Sequence, residues 1–195
     1  MDLRERKAWL RRRLCELRDQ LPSIERSQAS RAIRSQLVTT PEVVDARSAF
    51  VFISHGTEAE THSLIDHLLA RGLHLTVPRV VDDRRMVAAE FPGWEALVPG
   101  TMGILTTRSS NPDPVAPDIV ITPGLGFAPT GDRLGHGRGY YDRWFRANPA
   151  PVRIAVPFDV QLIDRLPVHH HDMPVDIIVT EHRVVRTGRR PPSGS

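Results

Sequence analysis

DIVITPGLGFAPTGDRLGHGRGYYDRW, residues 118–144, reads as a strand, a glycine-rich loop and a helix in immediate succession. DIVITPG is apolar and β-branched, which predicts a buried strand over residues 118–124. Glycines follow at 131, 135, 137 and 139, and the spacing of YYDRWF predicts a helix from Tyr140 to about Asn148. In open α/β sheets ligands bind beyond the carboxyl ends of the strands, so this stretch bears on fold class and site together. Alternating glycines admit positive φ and close backbone approach. Loop N–H groups and a helix N-terminus then make a nest for an anion. Arg133 and Arg138 add forks suited to phosphate or carboxylate, and Asp142, in the first helical turn, is placed to meet magnesium held by phosphate oxygens. The pattern is not the dinucleotide fingerprint, because Gly135-x-Gly137 is followed three residues later by Tyr140. On the residues alone a structural glycine loop with water-facing arginines stays open.

The surrounding chain repeats the strand–helix alternation. SAFVFIS (48–54) predicts a strand, THSLIDHLLARG a helix with Leu64, Leu68 and Leu69 inward and Gly72 as its stop, and LHLTVP the next strand. This βαβ unit implies a parallel sheet. MVAAEF, VRIAVPF and a final VDIIVT predict further strands, with a short helical piece near 159–166. Between MVAAEF and DIVITPG lies a Pro-, Gly-, Ser- and Thr-rich segment that predicts a long surface loop. Leu3, Lys7, Leu10, Leu14, Leu17 and Leu21 form the seam of an N-terminal helix that Pro22 ends; Ser27 is the expected cap of a second helix reaching about Val38. The expected fold is therefore α/β, a single domain with a mainly parallel twisted sheet and helices on both faces, Rossmann-like in layering but without the GxGxxG fingerprint. The domain is expected over 1–186, with TGRRPPSGS (187–195) as a tail of disorder-like composition.

Composition narrows the classes. The 195 residues are 40% apolar and 25% charged, as in a soluble globular chain. One cysteine, Cys15, excludes an internal disulfide and a cysteine-rich zinc site. The N-terminus has no uninterrupted apolar stretch and carries interspersed acids, so a signal, a membrane span and a transit peptide are disfavoured and a cytoplasmic location is expected. Lys7 is the only lysine among 26 basic residues, so there is no Walker A loop. Two readings of Lys7 stand side by side: a snorkelling side chain in a frayed first turn, or a cation aimed inward with Arg11 one turn along.

Other constellations are weaker. Glu58, in TEAET after the first buried strand, is placed either to accept ligand N–H groups or to complement a helix dipole. In HHHD (169–172), neighbouring imidazoles in regular structure point apart, which argues against a zinc site. Cys15, in an Arg-rich helix, is expected to have a lowered pKa but has no partner base, and it reads as packing. There is no Gly-x-Ser-x-Gly elbow.

The long stretch at 118–144 resembles the 5-formyltetrahydrofolate cyclo-ligase (methenyltetrahydrofolate synthetase) family in its strand, its Pro-Gly-Leu-x-Phe turn and its Arg-Leu-Gly-x-Gly-x-Gly-Tyr-Tyr-Asp run. Lys7-x-x-x-Arg11, TEAET, Val77–Pro78, Gln161 and HDMPVDIIVTE extend the resemblance, in order, over about residues 5–182. The resemblance implies an ATP- and Mg2+-dependent ligase that converts 5-formyltetrahydrofolate to 5,10-methenyltetrahydrofolate, ADP and phosphate. In that reaction the formyl oxygen is phosphorylated, nitrogen 10 attacks the activated carbon, and phosphate leaves as the ring closes. Carried over by position, Lys7, Arg11, Arg133, Leu134, Gly135, His136, Gly137, Arg138, Gly139, Tyr140 and Tyr141 take ATP. Ile53, Glu58 and the run from His136 to Tyr140 meet the folate. Lys7, Arg133, Arg138 and Tyr140 serve catalysis, and Asp142 and Asp176 hold magnesium. Phosphoryl transfer is mostly positioning and charge stabilisation, which such a set can supply.

The sequence departs from the family pattern in the long loop, where GILTTRSSNP lacks the Gly-x-x-Glu-Pro element. That departure motivates a second reading, a divergent member that binds nucleotide or folate without turnover. A pI of 9.7 and Arg11–Arg13 motivate a third, a basic nucleic-acid-binding module. The basic residues alternate with acids and carry no aromatic stacking pattern, which argues against it, and a net charge of +3 favours anions only weakly. Monomer and homo-oligomer both stay open, and no membrane partner is expected.

Overall fold

A computed structural model describes residues 2–189. Its centre is a seven-stranded sheet of β1 (Ser48–Val51), β2 (His74–Val80), β3 (Met86–Glu90), β6 (Ile119–Thr122), β9 (Val152–Ala155), β10 (Ile177–Val179) and β11 (Val184–Arg186). The spatial order is β11-β10-β9-β6-β1-β2-β3. The five inner strands are parallel, while β3 and β11 close the edges antiparallel. The inner strands are buried on both faces, which is why they read as continuous apolar runs and not as alternating ones.

The described residues form the α-helices α1 (Leu3–Asp19), α2 (Ser23–Leu37), α3 (Pro41–Asp45), α4 (His62–Ala70) and α5 (Tyr140–Ala147), of which α2 to α5 pack on the sheet. Side chains alternate across each strand. Ala49, Val51, Ile119, Ile121 and Ile154 pack with Ile33 and Leu37 of α2, Val43 of α3, and Leu64, Ile65 and Leu68 of α4. Phe50 and Val120 point the other way, onto Trp144 and Phe145 of α5. The α/β class, the mainly parallel sheet and the helices on both faces are as expected from the sequence.

Several local expectations are corrected. α2 begins at Ser23, with Pro22 as its cap residue, so Ser27 lies inside the helix and accepts from Arg31 Nη1 at 2.9 Å. Pro pre-sets the φ of a helix start, which outweighs the serine signal. Leu69 faces outward, 39% exposed. VDIIVT is not the last strand, because Thr180 turns the chain back as β11. The helical piece near 159–166 shrinks to a 3-10 turn at Asp159–Gln161. The long loop contains a small hairpin of β4 (Val98–Pro99) and β5 (Leu105–Thr106), where the Thr106 hydroxyl donates to the Pro78 carbonyl at 2.7 Å. The glycine-rich stretch holds a second hairpin, β7 (Gly126–Phe127) with β8 (Arg133–Leu134). Of the expected tail, 187–189 continue the folded chain: the Thr187 hydroxyl donates to Val175 and Asp176 carbonyls, and Arg189 pairs with Asp132. Residues 190–195 lie outside the described residues.

Candidate functional site

β1 has β2 on one side and β6 on the other, so the chain winds outward in one direction through β2 and β3 and in the other through β6, β9 and β10. Such a reversal opens a crevice at the carboxyl ends of the two central strands. Here that crevice is lined by Arg18, Phe52, Glu58, Thr122, Gly124 and Gln161 among others. Gln161 shapes its floor: its amide donates to the Gly124 and Leu125 carbonyls at 3.0 and 3.1 Å and accepts from Phe158 N–H at 3.1 Å.

The glycine loop lies between β8 and α5. Gly137 has φ 102° and Gly139, the residue before α5, has φ 67°. Both are in the left-handed region that glycine adopts without strain. Among the described residues the N–H groups of residues 136–139 donate to no protein acceptor. They and the start of α5 form a concentration of unpaired donors. The loop is held by α1: Arg11 Nε donates to the Gly135 carbonyl at 2.9 Å, and a side chain at Gly137 would touch the Arg11 guanidinium. α1 can approach because Gly126 lacks a side chain, as an added Cβ would lie 2.4 Å from Leu14 Cδ1. Lys7 is an inward cation and not a snorkelling chain; it is only 12% exposed and ion-paired with Asp172. The Asp172 carboxylate also accepts from His169 N–H at 2.7 Å.

The remaining loop candidates divide. Leu134 is buried against Leu14. Arg138 is exposed, and its carbonyl accepts from Arg143 Nη2 at 2.8 Å. Tyr140 donates its hydroxyl to the Asp82 carbonyl at 3.1 Å. Tyr141 is part-buried, but its hydroxyl is enclosed with no partner among the described residues, and that desolvation drives its pKa far up. Arg133 turns its fork inward to Pro123 and Asp142, over the rings of Tyr141 and Phe145. Asp142 Oδ1 accepts from Arg133 Nη2 at 2.7 Å and from Met173 N–H at 3.1 Å, while among the described residues nothing donates to its Oδ2. Asp176 stands just before β10, its Oδ2 accepting from Arg153 N–H at 2.8 Å. The two aspartates share no bond, and neither belongs to a cluster of three metal-ligating side chains among the described residues.

On the folate side, Glu58 is part-buried, 15% exposed in its side chain; its Oε2 accepts from His55 N–H at 3.0 Å and its Oε1 lies 3.7 Å from His136 Nε2. Ile53 and Phe52, just past β1, both pack into the same core cluster, and Phe52 also lines the crevice. Arg18, absent from the sequence candidates, is buried on the crevice wall. The signal was present, since Lys7, Arg11, Leu14 and Arg18 follow 4-3-4 spacing on one face of α1.

Two further expectations change. His169, His170 and His171 bring ring nitrogens within 4.8 Å of one another, because they sit in a turn where side chains need not diverge. Burial, then Asp19, raises the Cys15 pKa against the smaller opposing pull of Arg18. No described helix is long and apolar enough to cross a membrane.

This arrangement has known counterparts. A family model for the 5-formyltetrahydrofolate cyclo-ligase family matches residues 3–181. A mouse 5-formyltetrahydrofolate cyclo-ligase is 27% identical over 192 residues, covering 90% of this chain and 93% of that protein. The Escherichia coli 5-formyltetrahydrofolate cyclo-ligase is 32% identical over 160 residues, 77% of this chain and 86% of its own. The NMR structure of Aquifex aeolicus 5,10-methenyltetrahydrofolate synthetase superposes with a TM-score of 0.80 at 28% identity, covering 97% of this chain and 96% of that one. A Mycoplasma pneumoniae 5,10-methenyltetrahydrofolate synthetase shares the fold, with a TM-score of 0.71 over 90% of this chain and 98% of that one. With the family model matching residues 3–181 and a 32% identical relative covering 77% of the chain, the chain belongs to the 5-formyltetrahydrofolate cyclo-ligase family of ligases.

Proposed function

We propose that this protein converts 5-formyltetrahydrofolate to 5,10-methenyltetrahydrofolate at the expense of ATP, with magnesium. The observation that carries the reading is the meeting of the glycine loop and Glu58, with His136 Nε2 3.7 Å from Glu58 Oε1. A phosphate cradle and a carboxylate suited to a pterin's N–H groups thus face one space. ATP supplies the phosphoryl group that activates the formyl oxygen. The loop N–H groups of residues 136–139, Lys7 and Arg11 bind and orient the phosphates, and Arg138 is free to neutralise charge at the rim. Arg133 supports them from beneath by fixing Asp142 and the start of α5. Asp142, through its open Oδ2, and Asp176 would hold magnesium; the hard oxygen donors fit that ion, which takes one or two carboxylates together with phosphate oxygens. Tyr140 and the glycines stand where the loop nears the folate, and Glu58 accepts from the pterin.

The purified protein, given 5-formyltetrahydrofolate, ATP and Mg2+, is expected to form the methenyl product, followed by its absorbance. ATP binding without product would instead favour the non-catalytic reading. Absence of a salt-sensitive mobility shift with oligonucleotides is expected, against the nucleic-acid reading.

A further inference from the structure

Arg18 is 7% exposed and stands on the wall of the crevice that also contains Glu58. Its Nε donates to Thr57 Oγ1 at 3.0 Å and its Nη2 approaches Cys15 Sγ at 3.7 Å. Asp19 Oδ1 lies 3.6 Å from Nε. Its Nη1 has no acceptor among the described residues. A guanidinium carries five donors, and a buried one left unmet costs free energy. Nη1 carries two N–H groups and belongs to an arginine that frames the crevice at the switch point, so an acceptor arriving in that crevice would give it a partner.

We infer that Arg18 is a specificity-determining residue that donates to the 4-oxo group of the pterin whose N–H groups Glu58 accepts. This rests on the functional reading of Glu58 given above. The chemistry of the ligand edge motivates it: a 2-amino-4-oxo pterin presents an amino donor, a ring N–H donor and a carbonyl acceptor in a row. A carboxylate takes the two donors, and the carbonyl beside them calls for a cation with a free N–H. Thr57, next to Glu58 in sequence, holds Arg18 by its Nε, so the carboxylate and the guanidinium are positioned by one turn. A 4-amino pterin would turn a donor toward Arg18 and remove the ring N–H from Glu58. The pair therefore selects 4-oxo over 4-amino rings.

The test is calorimetric titration of the full chain with 5-formyltetrahydrofolate, with its 4-amino counterpart, and with ATP, for the wild type, Arg18→Met and Arg18→Lys. The wild type is expected to bind the 4-oxo compound more tightly. Arg18→Met is expected to weaken that compound by about 10- to 100-fold and to narrow the preference over the 4-amino compound, with ATP binding unchanged. Arg18→Lys, which keeps the charge and most of the stem, is expected to fall between. Equal weakening of both pterins, or unchanged 4-oxo affinity in a folded Arg18→Met, overturns the inference alone. A wild type that binds ATP but neither pterin overturns it together with the reading of Glu58. Should Arg18→Met fail to fold, Arg18→Lys with wild-type preference is the overturning result.

Discussion

Arg133 Nη2 donates to Asp142 Oδ1 at 2.7 Å, with the arginine side chain only 3% exposed. The bond ties β8 to the first turn of α5 across the glycine loop. It gives Arg133 a scaffolding position beneath the loop, so in the function proposed here the phosphate contacts fall to backbone N–H groups and to α1.

Removing one partner of a buried ion pair strands the other. Asp142→Ala is therefore expected to lower unfolding stability by about 3 kcal/mol, read by urea denaturation without ligand. Asp142→Asn, which still accepts from Arg133, is expected to cost less while losing magnesium-dependent activity. Equal stability of wild type and Asp142→Ala would contradict the structural role.

Lys7 is 12% and Asp172 23% exposed, and without the lysine the Asp172 carboxylate keeps the His169 N–H and some access to water, which limits the stability that depends on the pair. Lys7→Ala is expected to keep the melting temperature within a few degrees of wild type. The same change should reduce kcat/KM by at least about 100-fold through loss of a phosphate-facing cation. Normal turnover in that variant would remove Lys7 from the nucleotide site.

Glu60 links pH to the fold near the site. Its carboxylate accepts from Ser63 N–H and hydroxyl at 2.8 Å each, at the start of α4. The bond to His62, first, and those to Ser63 lower its pKa from 4.5 to about 2. The folded value lies below the unfolded one, so the stabilisation is present above about pH 4.5 and is lost as pH falls through about 2. The side chain is two-fifths exposed, which limits the contribution to about 1 kcal/mol. Glu60→Gln should flatten the acid limb of a stability–pH curve over that window, and an unchanged limb would assign the acid sensitivity elsewhere.

Gly126 sets how closely α1 meets the loop. Gly126→Ala places a methyl carbon 2.4 Å from Leu14 Cδ1 and is expected to destabilise by about 2 kcal/mol through overpacking. Leu14→Ala is expected to destabilise as well, by about 3 kcal/mol, because it empties a buried site. The double variant should be less destabilised than the sum, because the new methyl occupies space the leucine vacates. Strict additivity in chemical denaturation would show that the two residues do not share the space.

The α/β class, the parallel core and the strand–loop–helix site were legible in the sequence because they follow from local periodicity. Buried parallel strands are runs of apolar residues, and the glycine spacing marks positive φ at Gly137 and Gly139 wherever the chain goes. Lys7, Arg11 and Glu58 were legible as candidates by residue type and position. The contact of Arg11 with the loop was not, since it depends on α1 crossing to the loop over Gly126, a contact spanning more than a hundred residues. Partnership also escapes a one-dimensional reading: Arg133 could be seen as a cation, but only packing directs its fork to Asp142. Likewise Ile53 and Phe52 are both apolar, and only the path of the chain beyond β1 decides which one lines the crevice. Arg18 shows the division most plainly, since sequence supplies the guanidinium at the right helical spacing while the tertiary structure buries it and leaves its Nη1 unmet in a crevice that Glu58 also lines.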